Sequence, residues 1–509
     1  MALSFSSSPR RRPAVSEAER LRRENERLQR QLAEQRQRLA DQQQQFAEQQ
    51  QRIRELEQER EALQREIAEL RKDSRTSHRP PASDPPAARA CRPRARSRGR
   101  PGAKPGHSGH GRRLAPAAQV TEVRTVLPTQ CRHCQAPFPS DPAQVRTRGS
   151  ARRHQVTEIP PLVPTVTEWR APHLLCDACG QSTQATLPAS VTASAFGPRL
   201  TALIASLTVA QRVSRRGLEE VLADVLGCRI ALGTVQARVE EASAALAAPV
   251  EALQEQIAQA PILHVDETGW ATQGQRRWLW VFVTPLVVLY RVAATRAAQV
   301  LTGILGTAFA GVLTSDRWGA YEKYHRGPAQ LCWAHLKRDL AALAETGSSA
   351  TAILFGRDGL AIVASLFRLW HKFQAGAIPR TALRSRMGRV RRRLDRLLVV
   401  HRHSTDHGVR VLAAALEKHF AKLFTFVEQE GVEPTNNRAE RALRPAVQWR
   451  KLSFGTQSVA GEQAVARLLT ARQTCRCQGR NSFAYLTEAI RCHREGQPAP
   501  TLLPGPPTH

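Results

Sequence analysis

No stretch of this chain stays apolar long enough to cross a bilayer. The longest run, Trp278 to Tyr290, has 13 residues and contains Pro285, against the roughly 20 that a membrane helix needs. No membrane partner is expected. Acidic residues are also scarce: 44 Asp and Glu stand against 75 Lys and Arg, leaving a formal charge of +31. Such a deficit points to a polyanionic partner, nucleic acid first and an anionic membrane surface second. The opening MALSFSSSPRRRP puts its arginines after a short apolar patch, the wrong order and length for a secretory signal. A cytoplasmic, reducing compartment is expected. The ten cysteines agree, because four form two CxxC pairs and the rest are scattered, which does not make a disulfide framework.

Proline and glycine are missing altogether from residues 16–72, and one heptad register holds there. Its a positions are Ala18, Asn25, Leu32, Leu39, Phe46, Ile53, Arg60 and Ile67; its d positions are Leu21, Leu28, Gln35, Gln42, Gln49, Leu56, Leu63 and Leu70. This seam predicts a coiled coil and hence a homodimer or higher homo-oligomer, with Asn25 favouring a parallel pair. Residues 73–118 turn to Pro, Arg, Gly and Ser, with 11 basic residues against one Asp between Ser74 and Arg113. A segment of that kind cannot bury enough apolar area to offset its chain entropy, and reads as a solvated linker or a phosphate-binding arm.

Cys131-x-x-Cys134 and Cys176-x-x-Cys179 follow. Two CxxC turns can complete a tetrahedral four-cysteine zinc site, here structural because no ligand position is left open. Strand-like segments at Gln155 to Ile159 and Val166 to Leu175 would fill the interval between them. From Phe196 to Ala260 the pattern is helical. Ser214 to Leu226, Gly227 and Ala231 to Ala242 read as two helices across a short turn, compatible with a helix-turn-helix or with ordinary helix packing.

Chemistry enters at PILHVDETGW, Pro261 to Trp270, an apolar strand running into Asp266 and Glu267, and again at AGVLTSDRWGAY, Ala310 to Tyr321, ending on Asp316. A strand that ends on an acid holds that acid at a sheet rim, within reach of a metal and a substrate. Strand candidates Arg277 to Phe282, Leu286 to Val292 and Ala329 to Trp333, with helices Arg296 to Gly306 and His335 to Ala344, give strand, hairpin, strand, helix, strand. That is the order of an RNase H-like domain. Residues 341–425 are helical, basic and too long for a loop, so they read as an insertion. Glu440 lies in EPTNNRAERALR, where Asn437-x-x-Glu440 also has the spacing of a capping box; Glu267, Glu433 and Glu430 are the other acids to weigh. Arg441, Arg444, Arg450 and Lys451 are candidates for DNA phosphates or for a solvated face. Cys332 and His335 form a CxxH, and His335 is a candidate to buttress the acids or contact the scissile phosphate.

The set VDETGW, DRWGAY, CWAHLKRD and TNNRAERALR resembles the insertion sequence 66 family of bacterial transposases, as does the layout of coiled coil, GAKPGHSGHGR stretch and CxxC pairs. Arg317 and Trp318 depart from the family's pattern after the second acid. The resemblance implies a DDE triad, Asp266, Asp316 and Glu440, on an RNase H-like fold with two Mg²⁺ or Mn²⁺ ions. It further implies cleavage and strand transfer at terminal inverted repeats, a bacterial, nucleoid-associated setting, and companion proteins of the same element as possible partners. A catalytically silent DNA binder and an RNase H-like nuclease without strand transfer remain the alternatives. The fold class expected is multidomain α+β: a tail (1–15), a coiled coil (16–72), a basic linker (73–118), a zinc-binding module (119–185) and a helical DNA-binding region (190–258). An RNase H-like α/β catalytic domain (259–475) with its helical insertion (341–425) and a C-terminal segment (476–509) complete the chain.

Overall fold

The computed structural model describes residues 17–70, 114–347 and 349–505. The expected tail, most of the basic linker and its GAKPGHSGHGR stretch lie outside the described residues. Two compact units emerge: one contains the N-terminal helix and residues 335–418, the other residues 114–334 and 419–505.

The first unit begins with α1 (Glu17–Leu70), an uninterrupted 54-residue helix. Its apolar side chains, Leu21, Leu28, Leu32, Leu39, Phe46, Ile53, Leu56, Leu63 and Ile67, are all exposed.

In the second unit, a small hairpin pairs β1 (His173–Leu175) with β2 (Ser182–Gln184). The strands expected at 155–159 and 166–172 do not form; their side chains are exposed, so no apolar face stabilises a ladder there. Helices α2 (Pro198–Ala205), α3 (Arg215–Leu226) and α4 (Leu232–Ala245) follow. Ser214 caps α3 by accepting from Gly217 N–H at 3.0 Å, and Gly227 ends it in the left-handed region, as helix-end chemistry favours. Ile204, Leu218, Leu222, Ile230 and Val235 form a separate small core for these helices. Helix α5 (Ala247–Ala258) leads into the main sheet.

That sheet contains β3 (Ile262–Thr272), β4 (Gln275–Val283), β5 (Val288–Ala293), then, after α6 (Ala298–Leu305), β6 (Val312–Ser315), and, after α7 (Gly319–Tyr324), β7 (Ala329–Leu331). The strand order is β5-β4-β3-β6-β7. The first three are antiparallel, while β6 and β7 run parallel to β3. Contrary to expectation, β3 does not stop at Asp266. It continues to Thr272 and turns at Gln273 and Gly274, both with positive φ (51° and 74°), so that Thr272 faces Gln275. A two-residue turn with both φ positive matches the twist of an antiparallel pair.

Helix α8 (Trp333–Thr346) continues the chain from β7. Residues 350–418 are mostly helical: α9 (Ala350–Gln374), α10 (Arg380–His401) and α11 (His407–Lys418) pack on one another. Among the described residues α9 alone is long and apolar enough to cross a membrane by length and composition. Unbroken runs miss it because Arg357, Asp358 and Arg368 interrupt the sequence, while Phe355, Ile362, Leu366 and Trp370 still form a buried stripe. On α10, Leu383, Met387, Val390, Leu394 and Leu398 turn inward and its arginines occupy the remaining surface.

The second unit resumes with α12 (Asn437–Ser453), α13 (Val459–Cys477) and α14 (Ser482–Arg494). Helix α12 packs on β3 and β4, and α13 on β5, joining the helices to one core that includes Val265, Trp280, Phe282, Tyr290, Leu443 and Leu469.

Candidate catalytic site

The pairing of β3 with β6 ends at His264 and Thr314. Asp266 lies two residues beyond on β3, and Asp316 directly follows β6. Adjacent parallel strands therefore deliver both acids at the same edge, where the backbones part. Asp266 Oδ1 accepts from Glu267 N–H at 2.9 Å, and Asp316 Oδ1 accepts from Trp318 N–H at 2.8 Å.

Glu440 comes from the first turn of α12. What brings it to the strands is Asn436, fully buried at the helix start. Its Nδ2 donates to the Val265 carbonyl at 2.7 Å, its Oδ1 pairs with His264 Nδ1 at 3.2 Å, and its backbone N–H meets Cys332 Sγ at 3.1 Å. The capping box does not form: the cap position is Asn436, not Asn437, and no side chain caps the helix. Burial of His264 beside this amide holds its imidazole down at about 4, hence neutral at physiological pH.

The Asp266 carboxyl is pushed well above the ordinary carboxylate range, first by burial and then by the negative charges of Glu267, Asp316 and Glu440. Like charges crowded in a low-dielectric setting disfavour ionisation, and a divalent cation reverses that preference. Carboxylates are also the donors that hard cations select. The donor chemistry of these acids suits a hard divalent cation.

Glu267 has a different environment. Its carboxylate accepts from Arg296 Nε at 2.5 Å and from the Tyr321 hydroxyl. Its own pKa is raised by burial, against which both donors act. Glu433 pairs with Arg438 at 2.8 Å, and Glu430 is exposed. Among the basic candidates, Arg441, Arg444 and Lys451 are exposed. Arg450 is turned inward, donating to the Gly269 carbonyl at 2.6 Å and to Thr268 Oγ1 at 3.1 Å, so it ties the last turn of α12 to β3. His335 is buried on the first turn of α8.

The cysteine pairs form twin turns. Gln135 N–H donates to the Cys131 carbonyl (3.0 Å) and Cys131 N–H to Ala136 O (2.8 Å); Gly180 N–H donates to Cys176 O (2.8 Å) and Cys176 N–H to Gln181 O (2.9 Å). Backbone N–H groups of Cys134 and His133 lower the Cys131 pKa, and those of Ala178 and Cys179 lower that of Cys176. Both turns thus favour thiolate, the metal-binding form. Among the described residues the two pairs do not gather into one four-sulfur cluster.

Asn436, Arg296, Tyr321 and Trp318 escaped sequence reasoning. The doublet Asn436-Asn437 before Glu440 and the aromatics of DRWGAY were the available signals.

Comparison with known proteins adds two findings. Residues 193–464, more than half of the chain, match the family described as Transposase IS66 family; the match includes all three acids and excludes α1 and the cysteine pairs. The uncharacterized protein y4qI of Sinorhizobium fredii is 26% identical over 269 residues, which is 44% of this chain and 45% of that protein. The chain thus matches less than half the length of that relative.

Proposed function

The chain belongs to the Transposase IS66 family, and from that premise we propose that it cleaves and joins DNA at the terminal inverted repeats of an insertion sequence, with Asp266, Asp316 and Glu440 as the DDE triad of an RNase H-like domain. The observation that carries this reading is the geometry of the sheet edge, where adjacent parallel strands end beside Asp266 and Asp316 and Asn436, at the start of the helix whose first turn carries Glu440, bonds the Val265 carbonyl. The sheet order β5-β4-β3-β6-β7, with acids at adjoining strands 1 and 4 of the sheet's sequence, supports the RNase H-like assignment.

The chemistry that Mg²⁺ or Mn²⁺ would supply at these acids is activation of the attacking oxygen and charge stabilisation of the leaving oxygen. Asp266 and Asp316 would hold the ions from the strand edge and Glu440 from the helix, leaving the outer side for phosphate oxygens. The backbone amides of Glu267 and Trp318 fix the rotamers of the two aspartates. Exposed Arg441, Arg444 and Lys451 would bind flanking phosphates, whereas Arg450 positions α12. The turns at Cys131–Cys134 and Cys176–Cys179 would have to close on one another to hold a structural zinc, α3 and α4 would contact DNA, and α1 would pair with a second copy through its exposed seam.

Labelled terminal-repeat DNA incubated with the protein and Mg²⁺ tests this reading. Nicked and joined products are expected from the wild type and from none of Asp266→Ala, Asp316→Ala and Glu440→Ala, all of which should still bind the DNA. Nicks without joined products would make the protein a nuclease; products that survive all three substitutions would remove the triad.

A further inference from the structure

Trp318 lies two residues beyond Asp316 and is 43% exposed, yet its indole is fixed. Its backbone N–H is the donor to Asp316, its Nε1 donates to the Arg296 carbonyl at 3.3 Å, and the Arg296 guanidinium lies 4.1 Å from its ring centroid. Arg296 is held in turn by Trp278, 5.1 Å from that ring's centroid, and by the buried carboxylate of Glu267 at 2.5 Å. Tyr321 bonds the same carboxylate. With its charge balanced by Glu267, Arg296 serves less as a phosphate clamp than as a backing for the indole, which offers a polarised π-face to solvent.

Beside this indole is a small cleft of about 30 Å³, whose walls include Asp316, Trp318, Tyr321, Glu322, His419 and Lys422. Glu322 and His419 approach each other at 3.5 Å across it, so the cleft combines an aromatic wall with groups able to donate to and accept from a planar heterocycle. Apart from Asp316, none of these wall residues is assigned to the metal ions.

We propose that Trp318, backed by Arg296, is a stacking platform for an unpaired nucleobase of the DNA strand next to the scissile phosphate, with the edge of that base directed toward Glu322, His419 and Lys422. The proposal deepens the catalytic reading and rests on Asp316 being one of its acids. Because one tight turn carries both Asp316 and Trp318, seating the base sets the distance of its phosphate from the acid. Every base has a π-face, so the platform holds a nucleotide without reading its identity.

Photocrosslinking tests it without requiring turnover. Terminal-repeat oligonucleotides carrying 5-iododeoxyuridine at each position around the cleavage point are bound in Ca²⁺ and irradiated, and the adduct is located by peptide mapping. One position is expected to couple to the peptide containing Trp318. The adduct should persist in Asp266→Ala and Trp318→Phe, and drop about tenfold or more in both Trp318→Ala and Trp318→Leu. The leucine keeps apolar bulk without a π-face, and since it also cannot couple to iodouracil, its slower nicking rather than its loss of adduct separates stacking from packing. In Mg²⁺ the leucine variant should nick about 10- to 100-fold more slowly. An undiminished adduct in Trp318→Leu, or one mapped only to peptides without Trp318, overturns the proposal. Absence of nicking by the wild type, with the adduct still at Trp318, would instead sink the catalytic reading.

Discussion

Asn436 has each of its polar groups occupied: the side chain holds His264 and Val265, the backbone N–H meets Cys332, and the carbonyl accepts from Glu440 N–H. It aligns α12 with the strand that carries Asp266. Asn436→Ala should lower unfolding free energy by about 1–3 kcal/mol, the usual consequence of leaving buried polar groups without partners. It should also raise the Mg²⁺ concentration needed for half-maximal nicking; urea titration and a metal titration read the two effects, and unchanged values would deny Asn436 this role. Asp266 and Asp316 could be singled out as candidates from sequence because a strand pattern next to an acid is local information. Glu440 could not be separated from a capping residue, since the interaction that decides the matter joins residues 171 positions apart. Arg450 looked like a phosphate ligand for the same reason. A second buried imidazole gives a pH dependence. His325 Nε2–H donates to Pro328 O at 2.8 Å, and its ring centroid lies 5.6 Å from that of Phe309. Burial lowers its pKa, with Lys422 adding to the effect and the Pro328 bond opposing it. On acidification the unfolded chain takes up this proton before the folded one does. Stability is therefore fully present above about pH 6.5 and falls as pH drops below it. Urea midpoints at pH 7.5 and 5.5 should differ less in His325→Phe than in the wild type; equal differences would contradict the assignment.

Helix α13 solves a problem at the edge of the sheet. Strand β5 has no strand beyond it, and its outward N–H groups would otherwise lack partners. Thr470 Oγ1 accepts from Tyr290 N–H at 3.0 Å, and Thr474 Oγ1 accepts from Val288 N–H at 3.1 Å while donating to Val288 O at 3.0 Å. Four residues of helix rise about 6 Å, close to the rise of two residues of strand, so the two spacings match. Thr470→Val and Thr474→Val keep the side-chain shape, and each is expected to cost about 1–3 kcal/mol with faster hydrogen exchange at Tyr290 and Val288 respectively. Unaltered exchange at both amides would refute the match. Sequence disclosed the α3–α4 pair well, because Ser214 and Gly227 are strong end signals. It stopped β3 too early because Gln273 is an uncommon residue for a left-handed turn position, and so the turn carried none of the asparagine or aspartate that marks such hairpins.

At the scale of the whole chain, positive charge, an exposed apolar seam on α1 and an acid cluster coexist. The seam was legible because heptad spacing is periodic and needs no tertiary knowledge. The proposed acid cluster was legible only as separate candidates, because its residues come from two strands and a helix. Leu28→Glu together with Leu56→Glu places charge at d positions of the seam and should convert an oligomer to monomers in light scattering; an unchanged mass would mean that α1 does not mediate association. The central claim is that Asp266, Asp316 and Glu440 form one cage for hard divalent ions. Anomalous diffraction from crystals of the DNA-bound protein grown with Mn²⁺ tests it directly. The account predicts manganese peaks in contact with all three carboxylates and with a phosphate oxygen of the DNA; peaks held by other residues, with these three carboxylates bare, would contradict it.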